Sequence, residues 1–212
     1  AMFDGPLPGW VNTTSARVNA GLGTIARIVA SGEPIYRDKL SFADVEERIH
    51  TCWMPYHAAL AGLIEETRQR FGLCVLIDCH SMPSSGPAAA KPDGTRPAPD
   101  FVLGDDELAV GVILAVSRDR SRTKEPQIIY TESVLLSRGY GVRRNDPYAG
   151  GYVTRHYGRP REQCHALQIE IARDLYMDEA AYTRLPRFAG VQSDLTALIA
   201  SLGASATAMA TC

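Results

Sequence analysis

Apolar side chains at Phe42, Val45, Ile49, Trp53, Tyr56, Leu60, Leu63 and Ile64 recur at helical spacing and predict one long amphipathic helix ending near Phe71. Ser41 followed by Asp44 forms a capping box at its start, and Pro55 predicts a kink. Gly72 stops the helix, and Leu73 to Ile77, apolar around Cys74, reads as a strand buried on both faces. That strand ends in Asp78-Cys79-His80-Ser81, and the breaker-rich segment from Met82 to Pro87 leaves His80 at a loop mouth. Open α/β sheets bind ligands at the carboxyl ends of their strands, so this is the predicted active-site position. The competing reading is a histidine hydrogen-bonded for structure alone.

Elsewhere the pattern is shorter-ranged. Thr24 to Ala30 reads as a strand or edge segment, followed by a turn through Pro34. Residues 84–99 form a long loop of the kind used as lids or binding loops. Asp100 to Asp105 suggests a short strand and turn, and Leu108 to Val116 a helix. Arg118 to Glu125 reads as a charged loop, and Gln127 to Arg138 fits either strand or helix. Tyr140 to Arg144 suits a strand, and Asn145 to Gly151 is turn-rich. Leu167 to Ile171 alternates apolar and polar residues, a strand with Gln168 and Glu170 on one face. Asp194 to Leu202 predicts a short helix capped by Gly203. Helix, glycine and buried strand in succession is an α/β step.

The length, 212 residues, suits a single domain over 1–212. A net charge of −2 argues against a nucleic-acid or anionic-membrane partner, and no run is long enough to span a bilayer. The five cysteines form no Cys-x-x-Cys pair, and the N-terminus has no basic start or apolar core of a signal peptide. Both features predict reduced thiols and a cytoplasmic protein.

Among the five histidines, His50 and His57 lie two helical turns apart, too far to share an ion. His80 is the metal-ligand candidate. Asp78 points the same way from the strand and is an orienting acid, a ligand or a capping residue. Glu170 lies between Ile169 and Ile171, where an ionised carboxylate is costly unless paired. It is either a general base of raised pKa or the partner of an arginine such as Arg155 or Arg173. Arg143, Arg144 and Asn145 precede the glycine- and donor-rich stretch from Gly150 to Gly158. Such a cluster suits carboxylate recognition or a plain surface loop. No dinucleotide, Walker or nucleophile-elbow pattern occurs.

Four stretches together resemble the N-formylglutamate amidohydrolase family in order and character. They are Ile77 to Ser84, Pro99 to Asp105, Asn145 to Gly158, and His165 to Glu170 with Tyr176 and Met177. The resemblance runs from about Val18 to Leu202 and is poor from about Asp106 to Ser137. It implies an α/β fold related to zinc carboxypeptidases, with a mixed sheet flanked by helices and one zinc at the strand ends. The implied reaction cleaves N-formyl-L-glutamate to formate and glutamate, a step of histidine degradation. On this resemblance His80 is a zinc ligand and Glu170 the base that activates water. Arg155, Arg144 and Asn145 hold the substrate carboxylates, with Ser81 and Tyr152 in the same pocket. The family's remaining ligands come from an N-terminal Pro-His-Ser-Gly type segment with a nearby acid. This sequence shows no equivalent, which implies a truncated or divergent member. Two rivals follow: an inactive relative that only binds a dicarboxylate, and a zinc amidohydrolase or carboxypeptidase acting on another N-acyl amino acid or peptide.

Overall fold

A computed structural model describes residues 3–29, 32–84, 98–105 and 126–210. The predictions for Leu108 to Val116, Arg118 to Glu125 and most of the 84–99 loop lie outside those residues. The chain divides into two compact units, Ala1–Ala61 and Gly62–Cys212.

In the first unit, α1 (Ala16–Asn19) is capped by the Ser15 side chain, and α2 (Phe42–Arg48) begins with the expected capping box of Ser41 and Asp44. The Thr24 to Ala30 segment forms no strand among the described residues, only the isolated bridges of Leu22 with Ala26 and Ile28 with Pro34. The predicted long helix is interrupted by a π-helical turn, Ile49–Trp53, and resumes as α3 (Met54–Phe71). Pro55 supplies the reason: it has no N–H for the carbonyl of Thr51, so the ladder widens one turn earlier. Gly72, at φ 78°, ends α3 in the left-handed conformation that glycine adopts without strain.

The second unit carries the sheet. Its strands are β1 (Cys74–Met82), β2 (Phe101–Gly104), β3 (Val142–Arg144) and β4 (Cys164–Ala172). Among the described residues they lie in the order β1-β4-β2-β3. β1 runs parallel to β4, β4 antiparallel to β2, and β2 parallel to β3, so the sheet is mixed. The class is α/β, as expected. β1 runs to Met82 and carries Asp78 to Ser81 at its carboxyl end, as expected. It differs from expectation in being half-buried rather than buried on both faces, because β4 is its only strand neighbour among the described residues. β2, between β4 and β3, is buried at every residue, and β4, between β1 and β2, at every residue but Ile171.

Gln127 to Arg138 resolves as helix, α4 (Pro126–Ser137). The predicted short terminal helix is the long α6 (Phe188–Ala210), which passes through Gly203. Leu135 on α4 and Val191 and Leu198 on α6 join Phe101, Leu103, Leu167 and Ile169 of the sheet in one buried cluster. Burying a Leu or Ile side chain of this kind contributes about 1.5–3 kcal/mol. Tyr140 donates to Asp194 at 2.7 Å, and Arg138 pairs with the same carboxylate, tying the end of α4 to α6. This apolar face holds the sheet rigid and leaves the opposite face for chemistry. A short hairpin of β5 (Met177–Asp178) and β6 (Thr183–Arg184) follows β4.

Candidate active site

Paired residues in a sheet point to the same face, so register alone sets two transverse rows on the face away from the Leu135–Leu198 cluster. Asp78, Gln168 and Gly104 form one row. His80, Glu170, Val102 and Arg143 form the next. Alternation along β4 brings Gln168 and Glu170 to this face together, as the sequence pattern indicated.

Within these rows the side chains meet. His80 Nε2 lies 2.9 Å from Asp78 Oδ2, and its Nδ1 lies 3.9 Å from Glu170 Oε1. Gln168 Nε2 donates to Glu170 Oε1 at 2.9 Å. His80 is 45% exposed and Glu170 only 9%, so the imidazole faces solvent from above a buried carboxylate. Burial raises the Glu170 carboxyl above its ordinary value, and the nearby His80 and the Gln168 bond pull it partly back. Tyr148 completes the carboxylate's surroundings. Its phenol is pushed up by burial and then by the Glu170 charge.

The loop after β3 is brought against the sheet by missing side chains. A Cβ on Gly104 would stand 2.5 Å from the Gly150 nitrogen, so glycine at 104 lets that loop lie on the row of Asp78 and Gln168. The next residue, Gly151, would set a Cβ 3.2 Å from Gln168 Oε1. From there α5 (Tyr152–Tyr157) packs on β4 and β1, burying Thr154 and Tyr157.

The other candidates are placed differently. Arg144 is ion-paired with Glu132 of α4, on the face opposite His80. Asn145, at φ 54°, donates to Asp105 Oδ1 at 2.7 Å and accepts from the Asp105 N–H at 3.2 Å, joining the ends of β2 and β3. Ser81 points away from the His80 row and lies 3.2 Å from Arg173 Nε. Arg155 and Tyr152 lie exposed on α5, where the Tyr152 ring stacks on His156 at 4.8 Å. The structure thus brings His80 and Glu170 together with Asp78, Gln168 and Tyr148. Gln168 was legible from strand alternation; Tyr148 had no local signal.

The sequence pattern of the N-formylglutamate amidohydrolase family matches residues 6–177. The chain belongs to this family. N-formylglutamate deformylase of Pseudomonas putida is 32% identical over 162 residues, covering 76% of this chain and 55% of that protein. The deformylase of Pseudomonas aeruginosa is 33% identical over 153 residues, covering 71% and 52%. The chain spans about half the length of these curated relatives. The crystal structure of N-formylglutamate amidohydrolase from Ralstonia eutropha JMP134 is similar to it, with a TM-score of 0.73 and 35% identity. That match covers 99% of this chain and 68% of the other.

In this amidohydrolase family member, the zinc expectation meets a clear geometric test. A catalytic zinc takes three protein ligands. Among the described residues no group of three His, Cys, Asp or Glu side chains could hold a metal ion. His80 offers one nitrogen, Nδ1, because Nε2 is engaged by Asp78. The described residues therefore do not by themselves form a zinc site. No helix among them is long and apolar enough to cross a membrane.

Proposed function

We propose that the protein hydrolyses the formamide C–N bond of N-formyl-L-glutamate, giving formate and L-glutamate. The observation that carries this reading is the buried Glu170 carboxylate, bonded by Gln168 and set across the register from His80. Family membership and the deformylase names of the relatives support the substrate.

A carboxylate raised toward neutrality by burial is suited to take a proton from water as that water attacks the formyl carbon. The same carboxyl then returns the proton to the departing amine as the C–N bond breaks, so protons balance over the cycle. Asp78 fixes the His80 ring through Nε2 and leaves Nδ1 turned toward the reaction space. We assign His80 as the residue of this set that would ligate zinc, alongside ligands from outside the described residues. The same reading takes the mixed sheet as zinc-carboxypeptidase-like, supported by a polar site near the strand ends.

The test is formate release from N-formyl-L-glutamate by the purified protein, wild type against Glu170→Gln. We expect the variant to keep its fold and lose at least about two orders of magnitude in turnover. Near-normal turnover in Glu170→Gln, or no formate from zinc-supplemented wild type, overturns the reading.

A further inference from the structure

We propose that Cys74 and Cys164 form an oxidisable dithiol, which hydrogen peroxide closes to a disulfide that staples β1 to β4. The proposal stands apart from the reaction above and uses none of its groups. Register pairs Cys74 with Cys164 as the first residues of the two parallel strands. Register partners point to the same face, and neighbouring strands lie about 4.8 Å apart. The two Cα atoms therefore fall within the roughly 4.4–6.8 Å that a disulfide spans. Both side chains are free thiols. Cys79 does not compete for either, since alternation along β1 turns it to the opposite face, opposite Ile169.

The chain around the pair allows the bond to close. Disulfide Cβ atoms stand about 3.8 Å apart, so the two strand ends must draw slightly together. Gly72 and Gln163, at φ 78° and 61°, turn the chain just before each cysteine, and the adjustment falls on these turns rather than on the ladder. The Cys74 N–H already donates to the Gln163 carbonyl at 2.8 Å, which keeps the two ends side by side. The pair lies six residues before His80 and Glu170 on the same strands, about 20 Å away. A bond there leaves the candidate site untouched. It reinforces β1, whose only strand neighbour among the described residues is β4.

Burial decides which oxidant serves and which sulfur reacts first. Cys74 is 6% exposed and Cys164 4%, so a peroxide little larger than water suits the pair better than a bulky disulfide. Burial pushes both thiols up, and Cys164 pushes Cys74 up further, so the resting pair is protonated. The guanidinium groups of Arg159 and Arg68 pull Cys164 partly back, which makes it the attacking sulfur. Its thiolate takes one peroxide oxygen as the O–O bond breaks, and the released hydroxide recovers the thiol proton as water. Cys164 is then a sulfenic acid. The Cys74 sulfur displaces its hydroxyl, which leaves as a second water with the Cys74 proton. Two thiols and one peroxide thus give one disulfide and two waters, the sulfurs losing the two electrons that the peroxide gains.

The test is peptide mapping by mass spectrometry without reductant, after the reduced, purified protein has been treated with hydrogen peroxide. We expect the peptides of Cys74 and Cys164 to be joined, two hydrogens lighter than the separate thiol peptides. The thermal midpoint should rise by about 5–10 °C and fall back on adding dithiothreitol. Cys74→Ser and Cys164→Ser should each abolish the linkage and the rise, whereas Cys79→Ser should keep both. Peroxide that leaves the two as thiols, carries them separately to sulfinic acids, or links either to another cysteine overturns the proposal. A Cys74–Cys164 linkage without a higher midpoint overturns its role as a staple. The mapping uses the wild-type chain, so it decides the dithiol even where a serine variant fails to fold.

Discussion

His80 and Glu170 are register partners across the parallel strands β1 and β4, with Nδ1 of the imidazole 3.9 Å from Oε1 of the carboxylate. Their closeness follows from strand pairing rather than from loop conformation. A rigid sheet therefore fixes the spacing between the proposed base and the histidine proposed to ligate the metal.

Asp78 holds the other imidazole nitrogen at 2.9 Å. Asp78→Asn should leave the fold intact and lower turnover by about 10- to 100-fold, the usual cost of losing an acid that orients a ligand or catalytic histidine. Steady-state kinetics beside a thermal melt checks this. Unchanged kcat with an unchanged melt would show that the Asp78 contact does not position His80.

Gln168 is expected to tune the base. Its bond to Glu170 Oε1 favours the charged carboxylate, opposing the larger effect of burial. Gln168→Met removes that donor, so the Glu170 pKa should rise further. A base with a higher pKa is protonated at higher pH, and the acid limb of the kcat/KM profile should move to higher pH. A limb that stays in place or moves to lower pH would rule out this assignment of the base.

Gly104 is predicted to be intolerant of the smallest side chain. Gly104→Ala would drive its Cβ to 2.5 Å from the Gly150 nitrogen, and backbone on both sides leaves no flexible group to yield. Overpacking of this sort costs about 1–3 kcal/mol. Urea denaturation should show a lower midpoint, with weakened turnover as the loop before α5 lifts from the Gln168 row. An unchanged midpoint would mean the loop moves aside without strain.

Much of this protein was legible from local pattern. Ser41 and Asp44 announce the start of α2, Gly72 the end of α3, and the alternation around Glu170 its face on β4. Each rests on neighbours a few residues apart, which a sequence displays directly. The family likeness pointed to His80 and Glu170 as site residues, and the register of β1 on β4 makes them neighbours. What the sequence left open depended on partners far along the chain. Whether Arg143 or Arg144 faces Glu170 is settled by the register of β3 on β2, and neither residue carries a local sign of it. Asn145 looked available for a substrate carboxylate until Asp105, forty positions earlier, was brought against it. The length of α6 likewise follows from packing against α4 and the sheet, which offsets the weak helix propensity of Gly203. Periodicity and caps are nearest-neighbour effects and can be read along a line; register and side-chain partnership are long-range, and only the folded sheet decides them.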